Sequence, residues 1–216
     1  MRTDVPDCRE PRSGSFRRVL DAFLVQPGLP FADVLSAERI EQVFAKHNVL
    51  FGTHGIYNTA VMVWSFLGQG LRDGKDAACQ AAVARVVSHC LLLGEEQPTA
   101  DTGDFCRARA KLSEPALRDL TREIADKMES SADAGWLWHG LHAKLIDGFT
   151  FTMPDTPANQ PEYPQQRAQK PGVGQPIARA VAILSLATAS VMDLAIGPYS
   201  GKWRAEKCGP HCWHTI

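Results

Sequence analysis

The sequence lacks the features of a membrane-spanning or secreted protein. It has no window of the ~18–20 apolar residues that a transmembrane helix needs. The closest, residues 180–197, is interrupted by Ser, Thr and Asp193. The N-terminal residues 1–15 are polar and mixed in charge, without the apolar core of a signal peptide. We therefore expect a soluble, cytoplasmic protein with no membrane partner.

A strong excess of one charge and a regular cysteine pattern are also missing. The 23 Lys and Arg residues against 24 Asp and Glu give a net charge of −1, which excludes a global basic field for nucleic acid but allows a local basic face. The six cysteines are scattered, and in a reducing compartment most should be free thiols. Hydrophobic residues make up 44% of the chain, enough to bury a sizeable core.

Periodicity predicts a helical domain in the first part of the chain. Residues 1–14 are polar and are interpreted as a disordered lead-in, and residues 15–135 have apolar positions three and four apart. Ser36 is predicted to cap one helix, and Ser113 to start another. The apolar face predicted for that later helix consists of Leu117, Leu120, Ile124 and Met128. Trp64 and Trp136 are predicted to be core residues.

Three strands are predicted after residue 136. The first carries the run KLIDGFTFT and is expected to be buried, and an irregular loop follows over residues 154–176. Residues 178–189 and 190–199 then alternate as two strands joined by a tight turn near Ala189. Asp193 on the last strand is predicted to face outward. Three strands without covering helices have little core, so the sheet is expected to be incomplete.

Asp147 is the residue most open to a functional interpretation. It follows Leu145 and Ile146 and precedes Gly148. A carboxylate inside an apolar strand is costly unless it is paired, protonated or bound to a metal, which favours a metal ligand. Asp-Gly is also a strong signal for a short hairpin turn. The spacing alone leaves both interpretations open and favours the turn.

Residues 137–202 resemble the DDE transposases of bacterial insertion sequences, in the branch numbered four. The specific part is DTPANQ at 155–160 combined with QKPGVG at 169–174. Further matching segments are Trp138-His139-Gly140, Lys144 to Pro154, Tyr163-Pro164-Gln165, Gln175 to Arg179, Ser185 to Thr188, Gly197-Pro198-Tyr199 and Gly201-Lys202. FCRARAKLSEPAL at 105–117 is similar to an upstream segment of the family, so the resemblance extends over roughly residues 20–202.

The resemblance implies an α+β fold, with the helical N-terminal domain followed by the first strands of an RNase H-like mixed sheet. In such transposases three carboxylates hold two divalent ions, implied here to be Mg²⁺, for cleavage and strand transfer of DNA. By this match Asp147 is the first catalytic carboxylate and a metal ligand. Asp155 is assigned to a turn instead.

The sequence departs from the family pattern at several places. Phe149 stands where the family has Thr, Gln175 where it has Phe, and Ala189 where it has Gly. No second or third acid can be assigned after Lys202, so residues 136–202 are expected to be a partial catalytic domain that is truncated and inactive on its own. Residues 203–216 are interpreted as a divergent tail, in which Cys208, His211, Cys212 and His214 are too closely spaced for a typical zinc site.

Two groups of basic residues are predicted to contact DNA. Arg107, Arg109 and Lys111 lie together, and Lys170 and Arg179 share with Arg167 a stretch without acids. Such cations bind phosphates and set affinity more than sequence choice. The expected partners are the terminal repeats of the insertion sequence, and a second copy or a full-length transposase. The alternatives are a DNA-binding or dimerising regulator without catalysis, and a decayed product without activity.

Overall fold

The computed structural model describes residues 13–166, 168, 170 and 172–199. The chain forms two compact units, which divide after Leu117. The described part of the first unit is helical, and the second holds most of one long helix and a three-stranded sheet. The division falls inside that helix, whereas the sequence places the domain boundary after residue 135. The predicted tail and residues 1–12 of the predicted lead-in lie outside the described residues.

The described part of the first unit contains five α-helices, with the sixth beginning at its end. They are α1 Ser13–Leu24, α2 Ala37–Lys46, α3 Thr59–Gly70, α4 Cys79–Leu93 and α5 Gly103–Arg109. The predicted cap of α2 is confirmed, because Ser36 Oγ accepts a hydrogen bond from the Arg39 amide. Asn58 caps α3 in the same way, with Oδ1 accepting from the Val61 amide at 2.9 Å.

The core of this unit forms where α3, α4 and α5 meet. One buried cluster there consists of Met62, Ala82, Val83, Phe105 and Ala108. The small alanines let the helix backbones approach, and the larger side chains fill the space between them. Full burial of each large apolar side chain stabilises the unit by roughly 1.5–3 kcal/mol. Trp64 is also buried, as predicted.

Helix α6 spans Glu114–Ser130 and starts directly after Ser113, as predicted. Its predicted apolar face is wrong in the second half, since Ile124 and Met128 are exposed. The buried positions of α6 are Ala116, Leu120 and Ala125. The positions that contact the sheet carry charged side chains, which apolar periodicity does not detect.

The sheet contains β1 Lys144–Thr152, β2 Ile177–Ser185 and β3 Val191–Pro198 in the order β1-β2-β3. Both described pairings are antiparallel. A one-turn helix, α7 Asn159–Glu162, lies in the connection between β1 and β2. The α+β class and the three strands are therefore confirmed.

The connection between β2 and β3 spans residues 186–190 and includes the predicted turn position, but β2 ends four residues before the strand end that the sequence predicts. Ala189 has a left-handed backbone with φ of 56°. Glycine adopts this conformation without the steric cost that a Cβ brings. An alanine at this point therefore carries mild backbone strain.

Candidate functional site

Asp147 lies in the middle of strand β1 and not in a turn. It pairs with Ala182 of β2, and the next residue, Gly148, pairs with Val181. Regular pairing continues on both sides across all nine residues of the strand. The hairpin-turn interpretation of Asp-Gly is therefore wrong, and the carboxylate stands on an extended backbone. Its Oδ1 accepts a hydrogen bond from the Gly148 amide at 2.8 Å.

The surroundings of Asp147 are open. All residues from Leu145 to Thr150 are exposed, so the predicted burial of β1 is wrong. Side chains alternate along a strand, which places Asp147 on the same face as Leu145 and Phe149. Among the described residues, no cation pairs with Asp147. Its carboxylate can therefore accept an incoming cation without breaking an ion pair.

A complete divalent-metal site does not form within the described residues. They contain no group of three or more His, Cys, Asp or Glu side chains placed to hold a metal. Mg²⁺ demands near-octahedral oxygen coordination, and Asp147 supplies one carboxylate. Asp147 fits the role of a single metal ligand, and this part of the chain does not fit a two-metal centre.

Asp155 has a structural partner in the DTPANQ segment. Its Oδ1 accepts from Gln160 Nε2 at 2.7 Å. Thr156 Oγ1 accepts from the Asn159 amide at 3.2 Å, and Asn159 Nδ2 donates to the Pro154 carbonyl at 2.9 Å. The polar side chains of this motif thus hold the loop around α7. The bond from Asp155 runs to a side chain, so it differs from the backbone cap expected of an Asx turn.

Gln165 organises the loop that contains the QKPGVG motif. Its Nε2 donates to the Lys170 carbonyl at 2.7 Å, and its Oε1 accepts from the amides of Gly172 and Gly174 at 3.1 and 3.2 Å. One side-chain amide therefore connects three points of the loop. Gly172 has φ of 78°, a conformation that suits glycine. The loop presents Lys170 as an exposed side chain.

Asp193 faces the helix instead of solvent, which corrects the outward orientation predicted for it. Its side chain is 9% exposed, and its Oδ2 lies 2.8 Å from Arg122 Nη2. Arg118 Nη1 is 3.9 Å from the other carboxylate oxygen and donates to the Leu194 carbonyl at 2.9 Å. These bonds join α6 to β3. Asp193 is therefore a packing residue.

A second charged cluster surrounds Glu129 near the end of α6, and neither periodicity nor the resemblance indicates it. Glu129 forms an ion pair with Lys144, the first residue of β1, and its Oε1 lies 2.6 Å from His142 Nδ1. Burial would raise the pKa of Glu129, but hydrogen bonds from Lys144, Ser185 and His142 outweigh it and lower the pKa to about 2. The cluster fixes the start of β1 to α6, and through Ser185 it also reaches the end of β2.

The basic residues predicted to contact DNA differ in how available they are. Arg107 and Lys111 are exposed, although Arg107 pairs with Asp104 and Lys111 lies 5.9 Å from the centre of the Phe51 ring. Arg109 is half-buried and donates to Gln69 Oε1 at 3.2 Å. In the second unit, Arg179 lies 5.4 Å from the centre of the Tyr199 ring. Arg107, Lys111 and Lys170 are thus the predicted contacts with the most exposed side chains.

Two tryptophans that precede the sheet in the chain are exposed. Trp136 is 64% exposed and Trp138 is 65% exposed, so the predicted burial of Trp136 is wrong. Trp138 and Leu141 exchange two backbone hydrogen bonds across His139 and Gly140, whose φ angles are 50° and 78°. Two positive φ angles are the signature of a tight hairpin turn. The matched segment Trp138-His139-Gly140 thus forms part of this tight turn.

The helical unit contains a cleft of about 570 Å³. Its charged lining residues are Asp21, Arg72, Asp73, Asp76 and Arg85. Arg72 is already used, because it donates to the carbonyls of Gly68 and Leu24. Burial lowers the pKa of Arg72 and Arg85, and nearby Asp76 opposes that shift for both. This mixture of charges does not favour one charged ligand, and none of the predicted site residues within the described ranges lines the cleft.

Comparison with known proteins gives no family for the chain: no family model, no curated protein and no solved structure matches it. No helix in the described part of the chain is long and apolar enough to cross a membrane.

Proposed function

We propose that the chain is a transposase polypeptide of the DDE type, in the insertion-sequence branch numbered four. In this proposal Asp147 is the first of its metal-binding carboxylates, and the sheet is the beginning of an RNase H-like domain. When bound, Mg²⁺ would activate water and a DNA 3′-hydroxyl for attack on phosphodiesters.

The observation that carries the proposal is the position of Asp147. The carboxylate stands at the centre of a regular strand, exposed and without a cationic partner among the described residues. A turn residue at an Asp-Gly step would have no reason to stand there, and an unpaired carboxylate in a strand of large apolar residues contributes little to stability. The largely buried side chains of Asp193 and Glu129 in the same unit each have cationic partners. Of the two acids on the described strands, Asp193 thus has cationic partners, and Asp147 has none and is open to a ligand.

The two loops that contain the matched motifs, one after β1 and one before β2, add support. Asp155, Thr156 and Asn159 are occupied in holding the loop that follows β1. Gln165 holds the loop that precedes β2. The matched polar residues thus have structural roles, which agrees with a motif that shapes the surroundings of one strand. The remaining metal ligands would come from residues outside the described part or from a second polypeptide.

The catalytic proposal is tested with DNA cleavage. Purified chain is incubated with Mg²⁺ or Mn²⁺ and with DNA containing the ends of the element, with and without a full-length transposase. We expect no cleavage by the chain alone, because one carboxylate cannot hold two ions. Cleavage by the chain alone that Asp147→Asn abolishes and Asp155→Asn preserves would show a complete site within it.

Metal binding by Asp147 has a separate readout. Mn²⁺ relaxes nearby nuclei, so millimolar Mn²⁺ should broaden the amide signals of Asp147 and Gly148 in an NMR spectrum. The same titration of Asp147→Asn should leave those positions sharp, and Asp155→Asn should behave as the wild type. Equal broadening in wild type and Asp147→Asn would contradict the role of Asp147 as a ligand.

A second candidate function is DNA binding without catalysis, as in a regulator of transposition. Two exposed cations, Arg107 and Lys111, favour it, because both are close in sequence at the end of α5. The slope of log K against log salt concentration measures how strongly affinity depends on salt. Removing one cation that binds a phosphate should reduce the magnitude of this slope by about one.

This function is tested by gel shift at two salt concentrations, with the double variant Arg107→Ala/Lys111→Ala. We expect weaker binding of the element's ends and a slope shallower by about two. The matched control is Lys75→Ala/Lys127→Ala, which removes two exposed cations elsewhere. An unchanged slope in the first variant, or an equal change in the control, would refute a specific role for this pair. The absence of any salt-sensitive shift in the wild type would refute DNA binding itself.

A further inference from the structure

Strand β1 has an open edge and two uncovered faces. Among the described strands it pairs only with β2, on one side. Leu145, Ile146 and Phe149 are 47%, 53% and 53% exposed. The open edge of a strand presents unpaired N–H and C=O groups, which are a template for another strand. An apolar, accessible strand with free backbone groups therefore fits one kind of partner, a second extended strand.

The opposite edge of the sheet, at β3, is protected in ways that β1 is not. Strand β3 ends at Pro198, its pairing with β2 is irregular between Ile183 and Leu184, and Asp193 points inward. Proline, irregular pairing and inward charges all discourage pairing at a sheet edge. Strand β1 has nine regularly paired residues and no proline. Its Lys144 is held by Glu129, which leaves Asp147 as the sole charge from Leu145 to Thr152.

We propose that β1 pairs in antiparallel orientation with β1 of a second copy of this chain, centred on Gly148. This register pairs all nine residues of each strand and makes a continuous six-stranded sheet around a two-fold axis. Gly148 then lies opposite Gly148, where neither copy has a side chain to obstruct the approach. Lys144 lies opposite Thr152 and Asp147 opposite Phe149, so no like charges are directly opposed. Registers centred elsewhere pair fewer than nine residues of each strand.

The two-fold arrangement makes two side chains decisive. Phe149, where the resembling transposases have threonine, contacts Asp147 of the other copy on the shared face and extends the apolar stripe. Asp147 of one copy lies diagonal to Asp147 of the other on that face, at about 7–8 Å. Their repulsion weakens the dimer. Phe149→Thr should therefore reduce association, and Asp147→Asn should increase it.

The register is tested by a disulfide at the centre. A Cβ added at Gly148 would lie 3.4 Å from Val181 Cγ2 and 3.5 Å from the Ala180 carbonyl oxygen, which are ordinary contacts. Opposed residues of antiparallel strands have Cα atoms about 4.5–5.5 Å apart, within the range of a disulfide. Under mild oxidation Gly148→Cys should form a dimer whose linkage, mapped by mass spectrometry, joins position 148 of both copies. The control is Val173→Cys, in an exposed loop.

Association is measured on the full chain by sedimentation velocity over a concentration series, without DNA or divalent metal. We expect a dimer that Phe149→Thr weakens at least several-fold and Asp147→Asn strengthens, while Leu186→Thr, a matched change at an exposed loop position, has no effect. Circular dichroism of each variant confirms that it is folded. A monomer at all concentrations, equal effects of Phe149→Thr and Leu186→Thr, or equal crosslinking at positions 148 and 173 would overturn the proposal. Because these measurements contain no DNA or metal, their failure leaves the proposed transposase function untouched.

Discussion

Replacing Glu129 by glutamine should destabilise the sheet unit at neutral pH and leave it unaffected in acid. The substitution keeps the size of the side chain and removes the negative charge of the carboxylate, which both Lys144 and His142 contact. Glu129 is 13% exposed in its side chain, so solvent replaces these partners poorly. The amide of glutamine accepts hydrogen bonds from Ser185 or His142, but it cannot balance the ammonium of Lys144.

The magnitude follows from the pKa. A carboxyl whose pKa falls from 4.5 to about 2 in the folded state corresponds to roughly 3 kcal/mol, at about 1.36 kcal/mol per pKa unit. Solvent around His142, which is 42% exposed, screens part of this interaction, so we expect about 1–2 kcal/mol. Because the folded pKa is depressed, this stabilisation is fully present above about pH 4.5 and is lost between pH 4.5 and pH 2.

The assay is urea unfolding at a series of pH values, followed by hydrogen exchange of the amides in β1 and β2, which reports on the sheet unit by itself. The wild type should exceed Glu129→Gln by about 1–2 kcal/mol at pH 7, and the two curves should converge as the pH approaches 2. Asp126→Asn, an exposed acid on the same helix, is the matched control and should change little. Equal stability at pH 7, or a difference that persists undiminished at pH 2.5, would refute this account of the cluster.

Three further predictions concern the fold around the candidate site. Asp193→Ala should lower the free energy of unfolding of the sheet unit by about 3 kcal/mol, because it leaves Arg118 and Arg122 without their buried partner; urea unfolding measures it, with Asp119→Ala as the partly exposed control. Ala189→Gly should raise the melting temperature, because relief of the left-handed strain outweighs the entropy cost of glycine by roughly 0.5–1 kcal/mol; calorimetry with Ala187→Gly for comparison checks the sign. Gln165→Leu should speed hydrogen exchange at the amides of Gly172 and Gly174 and leave the β2 amides unchanged; exchange rates equal to wild type would mean that backbone geometry holds the loop by itself.

The parts of the fold that can be predicted from sequence are those with local causes. Ser36 and Ser113 precede the helices that they are predicted to start, and the turn at Ala189 joins the two strands on either side. A capping hydroxyl or a turn acts within a few residues, so the neighbouring residues in the sequence are enough to predict it. Apolar spacing also locates the strands, because side-chain alternation is a local property.

The parts that sequence does not predict depend on residues far apart in the chain. Asp193 and Arg122 are 71 positions apart, and periodicity treats each as a polar surface residue. Both charged side chains face inward only because they contact each other in the folded chain. The exposure of β1 escapes prediction for the opposite reason, since an apolar run predicts burial without showing what covers it. The resemblance predicts that Asp147 lies in a strand. The strand pairing in the structure shows that the turn favoured by the spacing is wrong.

The ion pairs of Asp193 also bear on how this sequence changes over generations. If Asp147 serves the proposed function, selection for DNA rearrangement would act on it, while selection for a chain that survives cellular proteases acts on Arg118, Arg122 and Asp193 together. In a lineage that no longer benefits from transposition, position 147 should drift freely, whereas the three charges of the α6–β3 contact change only in concert while the sheet still folds. Comparing related sequences at these four positions would therefore distinguish selection on the proposed chemistry from selection on the folded structure.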